Sequence, residues 1–268
     1  SLAELFEFLQ VNGDGAHSSC LDLESRKGKA PGGYQANRDR SRKPFIFMNA
    51  AGVQRDVETI VHEAGHAFHA LLCRSEPLLP YRSEMPLEFC EVASMSMELT
   101  SHPFFDEYYQ GEDADRARRT HLEGVVQSLC TIAMVDQYQH WLYTHPGHTR
   151  EQRDAKWAEL VNRYGPGFDW SGLESFLLAG WHRILHLFGT PFYYIEYGIA
   201  QLGALQVWLN YRRDPRMAIE QYKTGLSLGG SRPLPELFHA AGLEFDFGPA
   251  TVGRLVGEVE RELAKMPA

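Results

Sequence analysis

Apolar residues recur at helical spacing over most of the chain after residue 53, and alternate only briefly before it. Val57, Ile60, Val61, Ala64, Phe68, Leu71 and Leu72 fall three and four apart, so the spacing predicts a helix over 54–73. Pro86 is placed to open a second helix, reaching about residue 100. Longer runs follow over about 113–143, stopped by Pro146-Gly147, and over 150–164, closed by Gly165-Pro166. Helical patterns continue at about 192–213, 215–226, 235–241 and 249–265. Ahead of all these, residues 12–51 are rich in Gly, Ser, Arg and Pro. They hold one β-favouring run, Pro44-Phe45-Ile46-Phe47-Met48-Asn49, and turn chemistry before Tyr34 that suggests a partner strand. The expectation is a mainly α fold, one domain over 1–268, with a small β-sheet within about 12–51 preceding the helices.

The chain starts without Met, and Leu2, Leu5, Phe6 and Leu9 share one helical face from the first residues. That reads as a piece of something longer, with a missing N-terminal half of the same protein as the expected partner. Composition then narrows the function classes. With 44% apolar and 23% charged residues, the chain can bury a core without disulfides. Its four cysteines are scattered with no C-x-x-C pair, which suits reduced thiols and a cytoplasmic location. The net charge of −9 and the lack of a long basic stripe argue against nucleic acid. The one basic cluster, Arg38 to Lys43, is broken by Asp39 and reads as a solvated loop. No apolar stretch is long enough to span a bilayer, so no membrane partner is expected.

The chemistry concentrates in His62-Glu63-Ala64-Gly65-His66. On a helix, residues four apart lie within about 40° of each other, so both imidazoles can converge on one Zn2+ ion, one per chain. His69 and Glu58 share that face, and the apolar stripe lies on the other. Glu63 adjoins a ligand on the same helix and is directed at water rather than metal, the position of a general base. A catalytic zinc site needs a third protein ligand and an open position. The helix after Pro86 offers Glu88, Glu91 and Glu98, which share one face, and spacing alone does not choose between them.

His-Glu-Ala-Gly-His-Ala-Phe-His followed by Glu-Phe-Cys-Glu-Val-Ala-Ser-Met-Ser-Met-Glu resembles the thimet oligopeptidase and oligoendopeptidase F family of zinc metallopeptidases. So do the run from Asp22 to Tyr34 and His186 with Pro191-Phe192-Tyr193-Tyr194-Ile195-Glu196-Tyr197. The resemblance implies a zincin-like helical catalytic domain, the catalytic half of a longer family pattern. It selects Glu91 as the third ligand, with Ala93 where the family has proline. It implies that His186, Tyr194 and Tyr197 stabilise the oxyanion, with Tyr193 contacting substrate. It also implies that the strand at Phe45 to Asn49 is an edge that holds the peptide backbone through Phe47, Asn49 and Ala50. The expected activity is cleavage of internal bonds in short peptides. The alternatives are a non-catalytic zinc- or peptide-binding fragment and a related helical exopeptidase. An intact Glu63 speaks against the first, and the absence of a group to capture a free terminus speaks against the second.

Overall fold

Alternation at 43–50 produces a strand whose buried positions, Pro44, Ile46 and Met48, repeat with a period of two. The computed structural model describes residues 20–30 and 32–267. The amphipathic run at 2–9 lies outside them. Three strands, β1 (Leu21–Glu24), β2 (Tyr34–Arg38) and β3 (Lys43–Ala50), form a sheet in the order β1-β3-β2. β1 runs parallel to β3 and β2 antiparallel to it.

This order corrects one expectation. Phe47 lies opposite Asp22 on one side and Tyr34 on the other, and Ala50 lies opposite Glu24. β3 is therefore the central strand, and its backbone ladder is occupied from both sides. β1 is only four residues long, too short for its alternation to announce it in the sequence. The edge next to the helices that follow is β2.

Inside the turn between β1 and β2, Lys29 carries a charge into a site where its side chain is 1% exposed. Its ammonium donates to the carbonyls of Asp22, Glu24 and Met48 and to the Asp22 carboxylate, and it lies 4.4 Å from the centre of the Phe47 ring. Burying a cation is tolerable only with such complete pairing. The stacked ring of Tyr34, 4.9 Å from Phe47, extends the same cluster onto β2. Much of the Asp22-to-Tyr34 run is thus the internal brace of the sheet.

Helix α1 (Gln54–Leu72) starts where the Asp56 carboxylate collects the N–H groups of Ala51, Gly52 and Val53. Those hydrogen bonds, Val53 foremost, hold the Asp56 carboxyl below its usual range. Ala64, Ala67, Phe68 and Leu71 pack on Ile46, so the apolar face of α1 lies on the sheet. Its other side meets α2 (Leu87–Thr100). Gly65 is the point of closest approach. A Cβ there would stand 2.5 Å from the Ser94 Cα and 2.7 Å from the Ala93 carbonyl oxygen. His62 faces Glu98 and His69 faces Phe89, so the two helices run antiparallel.

The longer helices that follow are α3 (Glu112–Thr144), α4 (Arg150–Tyr164), α5 (Glu174–Ala179), α6 (Tyr194–Arg213), α7 (Pro215–Ser227), α8 (Leu234–Ala240) and α9 (Pro249–Leu263), with single helical turns at Pro80–Ser83 and His186–Gly189 besides. Their bounds follow the predicted runs closely, because proline, glycine and capping residues mark the ends. Thr149 and Gln152 cap α4 reciprocally, and Asp214 accepts from the Met217 N–H at the start of α7. α5 was not foreseen, since six residues give no readable period.

The described residues group into two compact units, those up to 119 together with those from 200 onward, and residues 120–199. In the first, Tyr222 of α7 is fully buried and donates to the Ala93 carbonyl at 2.8 Å, while Phe238 of α8 meets Phe89. These contacts back the side of α2 turned away from α1. In the second, Val135, Tyr138, Trp157, Leu160, Trp181 and Leu187 form the core. None of the described helices is long and apolar enough to cross a membrane. The basic cluster at 38–43 is an exposed hairpin turn, as expected of a solvated loop.

Candidate metal centre and active site

One helical turn separates His62 from His66, and the antiparallel approach of α2 brings a single carboxylate between them. Glu91 Oε2 lies 3.3 Å from His62 Nε2 and 3.7 Å from His66 Nε2. The three ligand atoms lie within 4.8 Å of one another. Donors bound at about 2.0–2.2 Å around a tetrahedral ion stand roughly 3.3–3.6 Å apart, so the trio fits zinc.

The three glutamates left open by spacing now separate. Glu91 is the ligand candidate, and Ser94 Oγ donates to its Oε2 at 3.0 Å, fixing the carboxylate. Glu98 accepts from the far ring nitrogen, His62 Nδ1, at 2.5 Å. That orients the ring and leaves Nε2 for the metal, the arrangement that carboxylates commonly supply behind metal-binding histidines. Glu88 pairs with neither imidazole. Behind His66 stands the Cys90 backbone, hydrogen-bonded to its ring. The orienting role of Glu98 was not visible in the sequence, although its residue was.

Electrostatics divide the two histidines. Burial pushes His66 down to about 4, against the pull of Glu91, so it is neutral and ready to ligate. At His62 burial also acts downward, but hydrogen bonds to Glu91 and Glu98 outweigh it and raise the group to about 10. The metal-free site therefore holds a proton at neutral pH, which an incoming ion must displace. Below about pH 10 the neutral fraction of His62 rises tenfold per pH unit, and zinc affinity should rise with it. A zinc competition titration at pH 6.5 and 8.5 should show tighter binding at the higher pH and about one proton released per ion at either pH. Affinity unchanged between the two would contradict this coupling.

Glu63 is 7% exposed. Burial raises its carboxyl, His62 opposes that, and Glu91 adds to it; the Gln35 backbone N–H of β2 holds the carboxylate in place. The result is a carboxylate whose proton affinity is raised, the direction that proton transfer at physiological pH would require. His69 is not a ligand. It is 1% exposed, packs edge-on against Phe89, and has neither ring nitrogen hydrogen-bonded; burial lowers it to about 3.

A cavity of about 340 Å³ opens onto the site, lined by Gly33, Arg55, Glu58, Thr59, His62, Glu63 and Glu98. The three residues expected to bind a peptide from the strand do not do so through an edge. Phe47 and Ala50 are paired within the sheet, and the Asn49 side chain donates to the carbonyls of Ala30 and Gly32. A more open cleft of about 560 Å³ in the second unit, lined in part by Trp141, His145, His148 and Lys156, contains none of the three ligands.

In the second unit the structure gathers the other expected residues into one cluster. His186 has Tyr193, Tyr194 and Tyr197 around it at ring distances of 5.6, 5.2 and 5.8 Å. The Tyr197 hydroxyl lies 3.4 Å from His186 Nε2. Just before them Phe192 adopts φ +63°, an unusual conformation for a bulky residue. Its N–H donates to the buried Gln139 Oε1 at 2.9 Å. Gln139 thus sets where α6 begins, and nothing in the local pattern signals it.

The family profile described as Peptidase family M3 matches residues 4–251. Oligopeptidase PepF of Bacillus subtilis is 23% identical over 248 residues, a match covering 89% of this chain and 36% of that protein. A solved oligoendopeptidase F structure superposes with a TM-score of 0.84 at 38% identity, covering 92% of this chain and 44% of the other. A structure of PZ peptidase A with an inhibitor gives 0.83 at 35% identity, with the same coverage. The chain spans less than half the length of these relatives.

Proposed function

We propose, from the premise that this chain belongs to peptidase family M3, that it is a zinc-dependent endopeptidase acting on short oligopeptides. The observation that carries the reading is the convergence of His62, His66 and Glu91 beside a buried Glu63. Those three side chains would hold Zn2+, which when bound supplies Lewis acidity and makes water a nucleophile near neutral pH. Glu63 takes the proton from the attacking water and returns it to the leaving amine. His186, Tyr194 and Tyr197 are the donors proposed for the developing oxyanion, and Tyr193 the aromatic contact to substrate. The peptide backbone adds along the edge of β2 rather than β3. Scattered free thiols suit a reducing, cytoplasmic setting.

The test uses the purified chain and an internally quenched peptide of about ten residues. Chelation should abolish cleavage and stoichiometric zinc should restore it, with products from an internal bond. Cleavage that persists through exhaustive chelation would reject the reading.

A further inference from the structure

The cavity over the metal site is acidic on most sides, with Glu58, Glu63 and Glu98 in its wall, and among the described residues that line it Arg55 is the one basic side chain besides the candidate ligand His62. Arg55 is exposed on the first turn of α1, and three observations bear on what it could meet. The acids beside it in sequence are occupied elsewhere. The Asp56 carboxylate is taken by the N–H groups of Ala51, Gly52 and Val53, and Glu58 accepts from the Gln54 amide at 2.5 Å. No described ion pair or side-chain hydrogen bond engages the Arg55 guanidinium. A cation in the first turn of a helix is also opposed by the helix dipole, so its position does not serve the stability of α1.

Its placement relative to the chemistry is set by helix geometry. Arg55 precedes His62 by seven residues, which returns it to nearly the same face at about 10 Å along the axis. An extended peptide advances about 3.3 Å per residue, so a peptide laid along α1 would cover that separation with about three residues. A guanidinium offers five donors in a planar fork matched to a carboxylate.

We propose that Arg55 is a specificity-determining residue that receives a carboxylate of the bound peptide about three residues from the cleaved bond. The chain's net charge of −9 and the acidic cavity wall would otherwise repel such a group. The carboxylate has two sources, an acidic side chain or the free C-terminus. The proposal rests on the peptidase reading above.

The experiment compares quenched peptides that differ only in Glu against Gln three residues to either side of the cleaved bond, and in a free against an amidated C-terminus. Zinc-loaded enzyme should prefer one carboxylate form about tenfold, and the arm that shows the preference identifies the source. Arg55→Gln should bring that ratio close to one, and Arg55→Glu should turn the preference toward a Lys-containing peptide. Binding of the same labelled peptides to zinc-loaded Glu63→Gln protein, read by fluorescence anisotropy, gives the ratio without turnover. Equal binding of all pairs, no binding of any, or a ratio that Arg55→Gln leaves intact overturns the proposal. Cleavage without any carboxylate preference defeats Arg55's role and keeps the peptidase. Preferential binding without cleavage by the unsubstituted chain does the reverse.

Discussion

Glu63→Gln should bind zinc within a few-fold of the unsubstituted chain and lose peptide cleavage by about 10³-fold, in the range expected for a general base. The substitution is nearly isosteric, and the Gln carbonyl oxygen can still accept from the Gln35 N–H that now holds the carboxylate. The metal trio is untouched, since Glu63 is not among the converging ligand atoms. What disappears is a group able to take a proton from water and give it to the leaving amine. Zinc content measured alongside initial rates on one defined peptide decides the matter. Cleavage retained at full rate with zinc bound would remove Glu63 from the mechanism.

The second large effect is expected at a residue that touches neither water nor metal. Gly65→Ala should lower zinc affinity by 100-fold or more while leaving helix content intact. Two effects compete. Alanine is the better helix former by about 1 kcal/mol, so α1 on its own should gain. Against this, the new Cβ would come within 3 Å of three backbone atoms of α2, and backbone cannot rotate aside. Overpacking of that kind costs about 1–3 kcal/mol, so the net change should be destabilising by about 1 kcal/mol. The effect on the site is larger than the effect on the fold. α2 carries both Glu91 and Glu98, and metal–ligand distances tolerate shifts of only about 0.2 Å. Parting the helices by even half an ångström therefore strains the bond to Glu91 and the hold on His62 together. Circular dichroism, chemical denaturation and zinc competition on the variant test each part. Unchanged zinc affinity would show that α2 can yield without moving its carboxylates.

Helix extents and the paired imidazoles were legible in the sequence because both depend on neighbours a few residues away. Val57 to Leu72 show their period, Pro86 and Pro215 mark starts, and residues 62 and 66 must share a face in any helix. The position of Glu63 beside His62 follows from the same local geometry, and the role of base is the one proposed for it. His186 and the three tyrosines were nominated by resemblance, and the fold does collect them around one ring.

Other features needed the tertiary structure. Spacing placed Glu88, Glu91 and Glu98 on one face but could not say which would meet an imidazole. That depends on the register at which α2 passes α1, set where Gly65 admits the Ala93–Ser94 backbone. Whether β3 was an edge depended on a four-residue strand too short to show a pattern. Asn49 became a brace for the Ala30 and Gly32 carbonyls, and Arg55 found no partner among the described residues, only because of where other chain segments ran. Sequence by itself determined the helices, the two imidazoles on one face and the carboxylate between them, since hydrogen bonds four residues apart write those features locally. The tertiary structure decided which glutamate meets the two imidazoles, which spacing had left open and only the resemblance had pointed to, and it alone decided the strand order, because each is a meeting of groups whose distance no local periodicity encodes.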